Sequence, residues 1–121
     1  MSFRKGILFA AALFAASPGA AFAEGAIAVD DQPGAKPSDA GYGIGFGDDK
    51  DSAMQAALKK CQDAGNASCK VVVWFEKCGA YASSFEKYGI GWGGSKDDAE
   101  TKALDVCGNG HCKVVTSECE E

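Results

Sequence analysis

Tyr42-Gly43-Ile44-Gly45-Phe46-Gly47 recurs as Tyr88-Gly89-Ile90-Gly91-Trp92-Gly93, 46 residues further along the chain. The same offset aligns Ala53 with Ala99, Ala57 with Ala103, Leu58 with Leu104 and Cys61 with Cys107. A loop shorter by three residues then brings Cys69-Lys70-Val71-Val72 onto Cys112-Lys113-Val114-Val115. Upstream, Ala26-Ile27-Ala28-Val29 loosely matches Ala80-Tyr81-Ala82-Ser83. Agreement at so many positions reads as a tandem duplication within one domain, and it requires both units to fold alike.

Each unit reads as strand, strand, helix, strand. Residues 26–30 form a short apolar strand, and residues 42–47 alternate a large side chain with glycine, the period of two that marks a strand. Glycines on one face leave room for close approach to the backbone, by a helix or by a bulky residue of a neighbouring strand. Asp49 and Ser95 stand at equivalent N-cap positions, with Ser52 and Asp98 three residues later, and Ser95 with Asp98 resembles a capping box. The helices are predicted over residues 50–63 and 96–107, ending near Gly65 and Gly108. Ala53, Ala57, Leu58 and Cys61 share one helical face, as do Ala99, Ala103, Leu104 and Cys107, so both helices can lie close on a sheet. Val71-Val72-Val73-Trp74-Phe75 suits a central, doubly buried strand, and the shorter Val114-Val115-Thr116 lies nearer an edge. The expected fold class is α+β: two tandem strand-strand-helix-strand repeats forming one sheet of about six strands, with two helices packed on one face.

The first 23 residues read as a secretory signal peptide. Arg4 and Lys5 supply the positive start, Ile7 to Ala16 an apolar run, Ser17-Pro18-Gly19 a break, and Ala21-Phe22-Ala23 the small-x-small exit. That apolar run is shorter than the roughly 20 residues a spanning helix needs, so no membrane insertion is expected after cleavage. No cysteine precedes Cys61, which excludes a lipoprotein signal. Residues 24–121 then form a single domain, exported to the periplasm or beyond a bacterial-type cell. All six cysteines fall within it, an even count that points to a disulfide framework rather than to metal thiolates. Spacing alone does not choose among the possible pairings, but the internal symmetry does. Cys61–Cys69 and Cys107–Cys112 close equivalent loops, which leaves Cys78–Cys119 to tie the two units together. A reactive Cys78–Cys119 couple in redox exchange is the competing reading, and no C-x-x-C motif supports it.

With these residues laid out, the chain resembles the small exported bacterial domains of domain-of-unknown-function family 4189. The carrying features are Ala26-Ile27-Ala28-Val29, the Tyr-Gly-x-Gly-aromatic-Gly strand, the alanine-rich helix ending in Cys61, and Cys69-Lys70-Val71-Val72-Val73-Trp74-Phe75 with its shorter echo. The resemblance spans about residues 25–119. It implies secretion and a compact disulfide-bonded fold, and it brings no activity or catalytic residues. One departure is the polar Thr116-Ser117-Glu118, where the family's second copy often continues hydrophobic.

Without its signal the chain carries ten basic against 17 acidic residues, a formal charge of −7. Such a chain does not seek nucleic acid or anionic lipid, and its electrostatic partners are cations or basic proteins. His111, the single histidine, would need a partner such as Ser83, Ser84 or Ser95 for nucleophilic catalysis, and reads instead as a solvated residue at a disulfide-closed tip. The acidic runs Asp48-Asp49-Lys50-Asp51 and Lys96-Asp97-Asp98-Ala99-Glu100 lack calcium-loop spacing and sit at helix starts, where carboxylates complement the dipole. Gly43-x-Gly45-x-Gly47 has the alternation of a strand rather than dinucleotide-loop spacing. No metal or cofactor is expected. Tyr42, Phe46, Trp74, Tyr88 and Trp92 either pack the core or form an aromatic shelf on the sheet face opposite the helices, open to a protein or glycan. The functional expectation is a non-enzymatic exported binding module, for instance an inhibitor or protective protein against a basic secreted or envelope protein. A small hydrolase or redox enzyme is the second class, and a structural envelope component the third.

Overall fold

In the computed structural model, which describes residues 23–32, 34–108 and 110–120, the elements follow the expected order twice. They are β1 (Glu24–Asp30), β2 (Gly41–Gly47), α1 (Lys50–Asp63) and β3 (Lys70–Phe75), then β4 (Cys78–Ser83), β5 (Tyr88–Gly93), α2 (Lys96–Cys107) and β6 (Lys113–Cys119). The helix starts are capped as their sequences require: the Asp49 side chain accepts from the Ser52 amide at 2.8 Å, and Ser95 Oγ accepts from the Asp98 amide at 3.1 Å. At the far end of α2, Gly108 adopts φ +84°, the left-handed conformation that glycine takes without strain. The cleavage signal read from residues 1–23 lies, apart from Ala23, outside the described residues.

The class is α+β, with the six strands divided between two antiparallel three-stranded sheets, ordered β2-β1-β3 and β5-β4-β6. This corrects the expectation of one continuous sheet with both helices on one face. Each sheet carries its own helix on an outer face, and the two inner faces pack together. The physical reason lies in the two faces of the strands. Gly43 and Gly45 turn toward α1, where an added Cβ would overlap the backbone of Ala57 and Cys61, and Gly89 and Gly91 do the same beneath α2. The close fit buries Ala53, Ala57 and Cys61 against Ala26 and Ala28, and Ala99, Ala103 and Cys107 against Ala80 and Ala82. The other face of each sheet carries the large residues, which no helix covers. Ile27, Val29, Val73, Phe75 and Tyr81 from both sheets therefore form one shared inner core.

Register is duplicated as well. Ala26 pairs with Gly45 and Ala28 with Gly43, as Ala80 pairs with Gly91 and Ala82 with Gly89. A bulge breaks the β1–β3 pairing between Ile27 and Ala28, and another breaks β4–β6 between Tyr81 and Ala82. In β3 the extra residue is Val72, so Val71 turns to the helix while Val72 and Val73 both meet the inner core. The run Val71–Phe75 is consequently an edge strand, not the central one expected, since β1 holds the centre of its sheet. Its β-branched content is explained by burial under the opposing sheet.

The three disulfides join Cys61 to Cys69, Cys107 to Cys112 and Cys78 to Cys119, with Cα separations of 6.1, 6.3 and 3.9 Å. The first two return each helix to its following strand. The third pairs as expected but does not tie the two units together: it joins β4 to β6 within the second sheet, so the sheets are held to one another by core packing rather than by a disulfide. The polar end of β6 is tied to α2 instead: Ser117 donates to the Glu100 carboxylate, and Lys96 pairs with Glu118 at 3.8 Å.

Candidate functional site

Two sheets stacked through their inner faces leave a seam along each side, where an edge strand of one overhangs an edge strand of the other. Both seams open as grooves. Along one side β3 meets β5 around a groove of about 570 Å³, with Val72, Trp74, Phe75, Ile90 and Trp92 in its walls. Along the other, the turn at residues 36–40 and Tyr42 of β2 face β6 and the β4–β5 turn around a groove of about 790 Å³, walled by Tyr42, Phe85, Val114 and Val115. Both volumes fall in the range of ligand sites, and both linings are dominated by apolar side chains.

The five aromatic residues singled out from the sequence are distributed over several places rather than one shelf, because the sheet faces opposite the helices cover each other. Phe46 belongs to the inner core, where its ring meets Phe75 edge-on at 6.3 Å and 84°. Tyr88 stacks on Tyr81 at 6.0 Å and borders a smaller hollow with Asp31, Lys70, Glu86 and Lys87. Tyr81 donates its hydroxyl to Asp31 at 2.5 Å, and burial together with that carboxylate holds its pKa well above the ordinary tyrosine value. Tyr42 stands in the larger groove.

Trp74 and Trp92 are brought together in the smaller groove, one from each half of the chain, with 37% and 50% of their surface exposed. Each indole is oriented by a lysine on the helix of its own half. Lys50 Nζ lies 5.1 Å from the Trp74 ring centroid, and Lys102 Nζ lies 4.4 Å from that of Trp92. Trp74 Nε1 also donates to the Glu24 carboxylate. At the end of the same groove, Lys77 pairs with Glu120 at 3.6 Å.

All six cysteines are in disulfides, and no group of three or more metal-ligating side chains occurs among the described residues. His111 lines the larger groove together with Ser38, and no carboxylate among the described residues lines it. The serines considered as its partners stand elsewhere: Ser95 caps α2, Ser84 accepts from the Glu86 and Lys87 amides, and Ser83 is fully buried at the end of β4. Sequence reasoning missed Phe85 and Lys36 of that groove. The only local signal was a single large apolar residue, 55% exposed, in the polar turn Ser84-Phe85-Glu86.

The family model described as Domain of unknown function (DUF4189) matches residues 25–119 of the chain. No curated protein and no solved structure matches it.

Proposed function

The chain belongs to that family of unknown function, and from this premise we propose that it is an exported binding module whose β3–β5 groove receives a basic protein. The observation that carries the reading is the convergence of Trp74 and Trp92 in one apolar groove. Half-exposed tryptophans held at fixed orientation are the residues that most often anchor a macromolecular contact. The charge of −7 that the chain carries without its signal, ten basic against 17 acidic residues, would steer a cationic partner toward this surface. Export to the periplasm or the medium is supported by the cleavage signal read from residues 1–23. It is also supported by three disulfides of the kind kept in oxidising compartments, and by the absence of any spanning helix among the described residues. Inhibition or protection of a secreted basic protein is the specific form of this reading, with no catalysis by the module itself.

The test is affinity capture from the exported fraction of the source cell, with the oxidised chain compared with a Trp74→Ala/Trp92→Ala variant. Retention of one basic protein by the parent, with at least about tenfold loss in the variant, is the expected result. Equal retention by a variant that keeps its near-ultraviolet circular dichroism would overturn the reading. Phe46→Ala is unsuitable as a control, because Phe46 packs the inner core.

A further inference from the structure

We propose that the larger groove, between β2, β6 and the β4–β5 turn, is a separate binding site for a small amphiphilic anion, an apolar body bearing one carboxylate or sulfonate. The chain is acidic, with 17 aspartates and glutamates against 12 lysines and arginines, yet this groove reverses that balance. Lys36 and Lys113 line it and, among the described residues, no aspartate or glutamate does, whereas the two other hollows set Lys77 beside Glu76, and Lys70 and Lys87 beside Asp31 and Glu86. Neither Lys36 nor Lys113 forms an ion pair among the described residues. Two uncompensated ammonium groups beside an apolar wall define a ligand with a negative head and a hydrophobic body. The wall is built from Tyr42, Phe85, Val114 and Val115.

The parts of the groove are held by the framework rather than by the groove itself. The Cys107–Cys112 disulfide fixes the tip that carries His111 and leads into Lys113. The Gly34 amide donates to the Phe85 carbonyl at 3.2 Å, which docks the segment before Lys36 onto the β4–β5 turn. A site preformed in this way loses little ordering entropy when the ligand binds. The occupant is a free, monomeric amphiphile. A bilayer surface would meet the acidic remainder of the molecule, and 790 Å³ matches a small-molecule site.

Decanoate below its micellar range is the probe, titrated into the oxidised chain and followed by amide chemical shifts and calorimetry. The expected result is saturable binding, with shifts centred on Tyr42, Phe85, Val114 and Val115. Decyltrimethylammonium should bind at least about tenfold more weakly, as should decanoate to a Lys36→Glu/Lys113→Glu variant, the loss expected when charge-assisted contacts are reversed. Both lysines are exposed, so this variant is expected to fold, and Phe85→Ala supplies an independent reduction through the apolar wall. The Trp74→Ala/Trp92→Ala variant should bind decanoate unchanged, which separates this site from the one proposed for the basic protein. The proposal is overturned by absence of saturation, by equal binding of the cationic amphiphile, or by unchanged affinity after charge reversal. It is also overturned by binding confined to anionic phospholipid vesicles, or by loss of decanoate binding in the tryptophan variant.

Discussion

The two halves of this protein are alike on the outside and unlike on the inside. On the outer side, glycine strands lie under alanine-faced helices in both halves, with the same pairing register, the same bulge position and the same short disulfide. On the inner side, corresponding positions diverge. Ile27 is matched by Tyr81, Val29 by Ser83, Phe46 by Trp92, and Phe75 by the exposed Glu118. Phe75 covers both halves: a Cβ on Gly25 or on Gly79 would overlap its ring. A helix on a sheet is a local contact that each half satisfies for itself. The inner face is one shared volume, and filling it twice with the same large residues would overpack it. Divergence there leaves the seams unequal, one walled by tryptophans and the other flanked by uncompensated lysines.

The comparison breaks most severely at Phe75. Phe75→Ala should cost about 3–5 kcal/mol in urea unfolding, through lost burial and the cavity left behind. Glu118→Ala, at the equivalent place, should stay within about 0.5 kcal/mol. Equal costs would erase the inner asymmetry. Next come the disulfides. In the chain-entropy model the 41-residue Cys78–Cys119 loop contributes about 4 kcal/mol, against about 2–2.5 kcal/mol for the loops of eight and five residues. Paired Cys→Ala replacements at the two short bridges should therefore cost similar amounts, and removal of the long bridge distinctly more.

Gly45→Ala and Gly91→Ala sharpen the outer likeness. Each introduces a methyl group that overlaps helix backbone, and each should cost about 1–3 kcal/mol. The two values should agree, and a large difference would show that the helices do not press equally. The smallest expected effect separates the caps by pH. Hydrogen bonding from the Ser52 amide holds the Asp49 carboxyl below its ordinary value of 3.8, so its contribution is present above that value and lost as pH falls through and below it. Ser95 does not titrate there. Asp49→Asn should flatten this acid limb, whereas Ser95→Ala should lower stability by about 1 kcal/mol with no change in its pH profile.

Much of the outer architecture was legible from the residues. Helix bounds, caps, disulfide pairing and the close approach at Gly43 and Gly89 follow from local chemistry and from the correspondence between the halves. The division into two sheets was not legible. Ala26-Ile27-Ala28-Val29 is apolar on both faces, which signals a strand covered twice without saying whether the second cover is a helix or a sheet. Phe46 and Trp92 illustrate the same limit: equivalent in the strand pattern, one is core and the other half-exposed, because only the opposing sheet decides. The larger groove draws on residues from Lys36 to Val115, and no local spacing joins them.

The central claim is that both halves share one core, so that neither half, and neither groove, persists alone. Each half contains one tryptophan, which makes the claim directly measurable. Urea unfolding of the oxidised Trp92→Phe variant reports on the first half through Trp74, and that of Trp74→Phe reports on the second through Trp92. Coincident, single transitions in fluorescence and circular dichroism are predicted. Two separated midpoints, one for each tryptophan, would contradict a shared core.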